Sequence, residues 1–232
     1  MATFALAHMS CAGAWAWGTV PRRLRAAGHD VVAPDLTLVA GATPELHARE
    51  LTAAVGQDRP PGSVVLVGHS YGGLVVPRAA ELLGDAAAAL VVVDGLMPEP
   101  GESGFDLLPE RAEARRAEGR ERGDGMWTAG AQSPEPAWWP RLQPMPVSAF
   151  DAAVELTGSA AQLPGWFVHC LRSDFADQAA RARARGWTVI EIDGVHALPL
   201  ADPATCAQIL LRVAGAIPTG PPRPVLGEPP RS

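Results

Sequence analysis

The chain has 232 residues, 47% of them apolar, and a formal net charge of −6 at pH 7. That length suits one α/β domain with a sizeable core; the composition excludes a wholly disordered chain, and the acidic balance excludes the basic footprint of a nucleic-acid or anionic-membrane partner. All 19 basic residues are arginine, which also excludes Schiff-base, phosphate-loop and general-base lysines.

The N-terminus, MATFALAHMS, has neither a basic start nor a long apolar run, so no secretory leader is expected there. TFALAH (3–8) reads as a buried strand, followed by a helix over about 15–27. DVVAPD (30–35), a helix over about 43–55, SVVLVG (63–68), a helix over Gly72–Leu83 and AALVVVDG (88–95) continue the alternation. It resumes with GWFVHC (165–170), a helix over about 175–185, WTVIEID (187–193) and a last helix over about 203–215. Continuous apolar strands separated by helices predict an α/β fold with a mostly parallel sheet of about six strands, covered on both faces.

Residues 1–98 and 164–216 supply that core. Residues 99–163 have another composition, rich in proline, tryptophan and charge, and are expected to form a small helical lid. Within it, RAEARRAEGRERGD (111–124) reads as a solvated helix laced with i,i+4 ion pairs, the alternative being a docking helix. Met126, Trp127, Trp138, Trp139 and Met145 are expected to form its apolar underside. The proline-rich tail, 217–232, cannot build a core. Cys11, Cys170 and Cys206 are too widely spaced for a zinc or redox motif, no stretch approaches the about 20 apolar residues of a membrane span, and a cytoplasmic location is expected.

Gly68-His69-Ser70-Tyr71-Gly72 carries the chemistry. A G-x-S-x-G that ends a strand and opens a helix forces serine into a strained turn with its hydroxyl projecting from the sheet edge. The helix N-terminus beneath supplies free N–H groups and positive potential for a developing oxyanion. Ser70 is therefore the expected nucleophile.

With GAWAW (13–17), GHDVVAPDL (28–36), GHSYGG (68–73) and VVDGLMPEPGES (92–103), the chain resembles the α/β-hydrolase superfamily across residues 3–216, and within it the small methylesterase, salicylate-esterase and hydroxynitrile-lyase group. The resemblance implies an α/β-hydrolase fold and a triad in the order serine, acid, histidine. His196, in the loop after the last strand, is then the base. The acid is expected shortly past GWFVHC, where LRSDFADQ offers Asp174 and Asp177. Asp174 is the expected acid, Asp177 a first-turn helix acid, and Asp94 an alternative position used by some related enzymes. His8 is expected to shape the first loop, whereas His29, His47 and His169 read as surface or strand residues.

The first loop departs from the pattern. Hydrolytic relatives read His-Gly where this chain reads His8-Met9, which leaves Ser10 and Tyr71 as expected oxyanion donors and puts Met9 at the wall of an acyl pocket or in the path of water. Hydroxynitrile lyases carry a lysine directly after the catalytic histidine, and here Ala197 follows His196. The expected function is hydrolysis of a carboxylic ester or thioester of a small apolar or aromatic molecule through an acyl-enzyme, without metal or organic cofactor. Substrate contacts are expected from Met9, Trp127, Trp138 and Trp139. A lyase, cyclase or acyl transferase on the same scaffold is the alternative, and a ligand-binding receptor a further one. The expected partner is a small molecule, not nucleic acid or membrane, with a homodimer left open.

Overall fold

Residues 1–56, 59–130 and 137–217 are described by a computed structural model. The elements run β1 (Thr3–Ala7), α1 (Val20–Ala26), β2 (Asp30–Val32), α2 (Pro44–Val55), β3 (Val64–His69), α3 (Gly72–Leu83) and β4 (Ala87–Val93). Between β4 and the next sheet strand lie α4 (Gly104–Leu107), α5 (Pro109–Arg122), β5 (Met126–Trp127), β6 (Met145–Pro146) and α6 (Ser148–Asp151). The sheet is completed by β7 (Gly165–Arg172), α7 (Ala176–Ala184), β8 (Thr188–Val195), α8 (Leu198–Ala201) and α9 (Pro203–Ala216). Apart from Ile217, the expected proline-rich tail lies outside the described residues.

Six strands pair in the order β2-β1-β3-β4-β7-β8, every neighbour parallel. Their apolar runs are continuous because both faces are covered, and successive side chains serve opposite layers. Ala5, Ala7, Leu66, Leu90 and Phe167 face the layer of α2, α3, α7 and the insertion. Phe4, Leu6, Val65, Val67 and Val91 face the layer of α1 and α9. Helix starts follow local chemistry. Thr43 accepts from the Leu46 N–H at the start of α2, Asp202 accepts from the Thr205 N–H at the start of α9, and a proline follows each cap.

Strand ends shift by two or three residues, β2 stopping at Val32 rather than Asp35 and β8 running to Val195 rather than Asp193; two further expectations need correction. The helix expected over 15–27 is broken into a 3₁₀ turn, Ala14–Trp17, and α1, because Gly18 takes a left-handed conformation (φ 53°) packed on the Pro199 carbonyl. The other concerns β7, which continues to Arg172 by pairing with Val195 of β8 across a register shift, two residues past the expected end.

The insertion packs through Phe150, whose ring lies 5.4 Å from Phe105, 5.6 Å from Trp127 and 5.2 Å from Tyr71. Its underside residues Met126, Trp127 and Met145 are buried.

Close packing of α3 on β1 generates the first prediction. A Cβ at Gly72 would run into the backbone carbonyl of Ala7, whereas one at Gly215 in α9 would meet nothing. Gly72→Ala should therefore lower stability by about 1–3 kcal/mol or more, and Gly215→Ala should raise it by about 0.5–1 kcal/mol. Denaturant melts of the two variants check the opposite signs.

Candidate active site

Ser70 stands between β3 and α3 with φ 54°, in the left-handed region that non-glycine residues avoid. Its backbone is fully engaged. The amide donates to the Val93 carbonyl (3.1 Å), and its own carbonyl accepts from Gly73 (3.0 Å) and Leu96 (3.1 Å). A Cβ at Gly68 would overlap the backbone of Gly72 and Gly73, so the turn closes only around glycine.

The serine Oγ lies 2.9 Å from Nε2 of His196, which follows β8. Nδ1 of the same ring donates to Oδ2 of Asp94 at 2.7 Å. That bond leaves Nε2 as the acceptor for the serine proton. Asp94 has no solvent exposure, and its other oxygen accepts from the Cys170 N–H (3.0 Å) and the Ser173 hydroxyl (2.9 Å). Register explains why the acid is here. His69 pairs with Val93 across β3 and β4, so Ser70 and Asp94 are the next residues beyond two adjacent strand ends.

Asp174, the expected acid, is not in this constellation. Its side chain is 91% exposed and lies 3.8 Å from Arg111. The two extra residues of β7 move it past the site, while Ser173, one residue earlier, is the one that reaches Asp94. Asp177 sits in the first turn of α7, as expected of a helix-start acid.

Several other side chains hold this arrangement. Phe175 stacks on the His196 ring, centroids 4.8 Å apart and planes 3° from parallel. His69 donates from Nε2 to the His196 carbonyl (2.8 Å), and burial, aided by the nearby His196, lowers its pKa to about 3. His8 bonds the Met9 carbonyl through Nδ1 (2.8 Å) and accepts the Leu36 N–H at Nε2 (3.1 Å), the loop-shaping role expected of it. His47, expected at the surface or in a strand, is instead fully buried in α2, where Nε2 donates to the Thr37 carbonyl and Nδ1 accepts the Tyr71 hydroxyl at 2.6 Å.

A cavity of about 50 Å³ opens beside Ser70, walled by Ser10, Leu96, Phe105, Trp127 and Phe175. The Ser10 and Tyr71 amides have no acceptor among the described residues, and Tyr71 is the N-cap of α3, where backbone N–H groups are left free. The first loop turns at Cys11 (φ 58°), whose carbonyl accepts the Gln143 N–H of the insertion at 2.8 Å.

Of the expected substrate contacts, only Trp127 lines the cavity. Met9 is buried with Ala12 and Ala16 in a separate cluster, against Trp15, Trp138 and Leu142. Trp138 and Trp139 pack beside each other and toward Trp15 rather than against Ser70. Met9 is therefore not among the residues that wall the cavity. Among the described residues no cluster of histidine, cysteine or acidic side chains has metal-binding geometry. No helix there is long and apolar enough to cross a membrane.

A strained serine at a strand–helix turn, bonded through histidine to a buried aspartate, thus stands at the end of a parallel sheet covered by helices. The chain belongs to the alpha/beta hydrolase family, whose model matches residues 6–209. It is 35% identical over 118 residues to a carbendazim hydrolyzing esterase of Nocardioides sp. (strain SG-4G), covering 47% of this chain and 48% of that protein. To methylesterase 8 of Arabidopsis thaliana it is 35% identical over 117 residues, 47% and 43% of the two chains. The matches thus span about half the length of these curated relatives. Among solved structures, an extracellular alpha/beta-hydrolase from a Paenibacillus species superposes with a TM-score of 0.79 at 21% identity, over 91% of this chain and 98% of that one.

Burial of His69 makes stability depend on pH. Its folded pKa of about 3 lies below the ordinary histidine value, so between the two the unfolded chain binds a proton that the native chain refuses. Stability should therefore fall as pH drops from about 7 to 5, by about 2 kcal/mol from this residue. His8 and His47, lowered by the same cause, add to the fall. Urea melts at the two pH values check this, and His69→Gln, which keeps an N–H donor for the His196 carbonyl, should shrink the difference.

Proposed function

We propose that the chain is a serine-nucleophile hydrolase of a carboxylic ester or thioester, with Asp94 rather than Asp174 as the acid of the triad. The observation that carries this reading is the unbroken line of hydrogen bonds from Ser70 Oγ through His196 to Asp94. Ser70 Oγ attacks the substrate carbonyl as His196 Nε2 takes its proton. The resulting oxyanion is held by the Ser10 and Tyr71 amides, and the imidazolium by Asp94. His196 then gives the proton to the leaving alkoxide or thiolate, and the acyl group remains on Ser70. Water deprotonated by His196 attacks the acyl-enzyme, and the proton returns to Ser70 as the acid departs.

The small cavity and its aromatic wall favour a short or planar acyl group. Keeping His69 neutral serves the same chemistry, since a second cation 5.2 Å from the His196 ring would oppose the imidazolium. With Met9 outside the cavity, nothing on its wall favours the water-excluding alternatives.

Hydrolysis of 4-nitrophenyl acetate tests the proposal. Ser70→Ala should lower kcat by roughly 10³-fold or more and abolish labelling by a fluorophosphonate. Rates near the wild type would remove Ser70 as nucleophile.

Exchange of the two aspartates separates their roles. Asp94→Asn should cost about 10⁴-fold in kcat, because the imidazole loses the partner that fixes its tautomer. Asp174→Asn, at an exposed carboxylate, should leave kcat for this neutral ester within about twofold. Steady-state rates of the two variants decide the assignment, and the reverse ranking would return the role to Asp174.

A further inference from the structure

The Ser70 cavity has one feature that ester hydrolysis does not use. Two arginines, Arg111 and Arg115, line it, and among the described residues no acidic residue does. Both come from α5, where an i,i+4 spacing puts them on one helix face. The other arginines of this helix are neutralised elsewhere. Arg116 pairs with Asp151 (2.6 Å), Arg120 with Glu113 (2.7 Å) and Arg122 with Asp124 (2.9 Å).

Arg111 differs from these. It donates no hydrogen bond among the described residues, and its nearest carboxylates are the adjacent Glu110 at 3.2 Å and the exposed Asp174 at 3.8 Å. Arg115 is fixed but not saturated. Its Nη1 serves the Thr128 carbonyl (2.7 Å) and Glu118 (3.3 Å), its plane rests on Trp127 at 4.3 Å, and Nε and Nη2 have no acceptor among the described residues. A guanidinium carries five N–H donors in a fork matched to a carboxylate or phosphate. The Arg111 and Arg115 side chains are 44% and 28% exposed, so water serves their unfilled donors until an anion replaces it.

We propose that the substrate is an ester that also carries an anionic group, a carboxylate a few carbons from the scissile carbonyl, bound by Arg111 with Arg115 beside it. This rests on the hydrolase reading above and narrows it to a charged substrate class. Asp174, exposed and 3.8 Å from Arg111, competes with the substrate anion for that guanidinium.

Matched pairs of esters test this in the full chain. Monomethyl glutarate and methyl 5-oxohexanoate differ in a carboxylate on the acyl side; 4-acetoxybutyrate and 5-acetoxypentan-2-one differ in one on the alcohol side. The anionic member of at least one pair should have a kcat/KM at least tenfold above its neutral partner, chiefly through KM, and the advantage should shrink with added salt. Arg111→Gln should collapse the anionic-to-neutral ratio about tenfold or more, and Asp174→Asn should raise it. Equal ratios in both pairs, or an Arg111→Gln effect shared equally by both members, would overturn the proposal while leaving the hydrolase intact. If no ester is turned over, including 4-nitrophenyl acetate, the hydrolase reading fails. The anion site is then decided by calorimetry on Ser70→Ala, where monomethyl glutarate should bind and lose at least tenfold in affinity on adding Arg111→Gln. Binding indifferent to Arg111 would sink it.

Discussion

The site depends on how closely α3 approaches the sheet. With glycine at 68 and 72, the first turn of the helix sits directly on β1 and on the end of β3, and the chain has no room for a relaxed connection. Ser70 is forced into left-handed geometry as a result, and its backbone bonds to Val93, Gly73 and Leu96 hold it there. Strain of about 1–3 kcal/mol at such a residue persists only where surrounding structure over-determines it. Here the parallel sheet does so, with both faces buried and two layers of side chains interlocked along every central strand. The small residues Ala5 and Ala7 on the α3 side of β1 belong to the same constraint, since larger side chains would push the helix off.

The second requirement is a buried charge that does not destabilise its surroundings. Asp94 has no contact with solvent, and an ion there is tolerated only if its lone pairs are filled. Three donors from three chain segments do this: the β7 backbone, the turn after it and the imidazole. Truncating any of them leaves the carboxylate short of a partner, so these residues act as a unit. His69 follows the opposite strategy. It is buried without a charge and spends its one proton on the His196 carbonyl.

Much of this was legible in the sequence, and the gaps have physical causes. Alternating apolar runs and helical stretches gave the order of the sheet elements because a parallel sheet buried on both faces needs nothing subtler. Ser70 and His196 were legible because glycine spacing and a histidine after the last strand are local signals. The carboxylate that bonds His196 was not, since the choice between Asp94 and Asp174 turns on where β7 ends, and Arg172 stays in the strand only through a pairing with Val195 that no local pattern encodes. Met9 was misplaced for a similar reason. Met9 packs with Ala12 and Ala16 against Trp138 while its neighbour Ser10 lines the cavity, a division set by tertiary packing that the loop sequence does not encode. The arginine-rich helix read as a solvated face laced with i,i+4 pairs; Arg116, Arg120 and Arg122 do reach solvent, but they pair with Asp151, Glu113 and Asp124, none of them four residues away. Its other face became visible only when the insertion was placed over Ser70.

The bond between the Cys11 carbonyl and the Gln143 N–H has a mechanical consequence. It joins the loop that carries the Ser10 amide to the segment inserted between β4 and β7. Any rearrangement of that segment near Gln143 must either break this bond or drag the Ser10 amide with it. Under the proposed mechanism, polarisation of the substrate carbonyl and the seating of the inserted segment would share one degree of freedom, and sequence changes at their junction would act on rate and on access together.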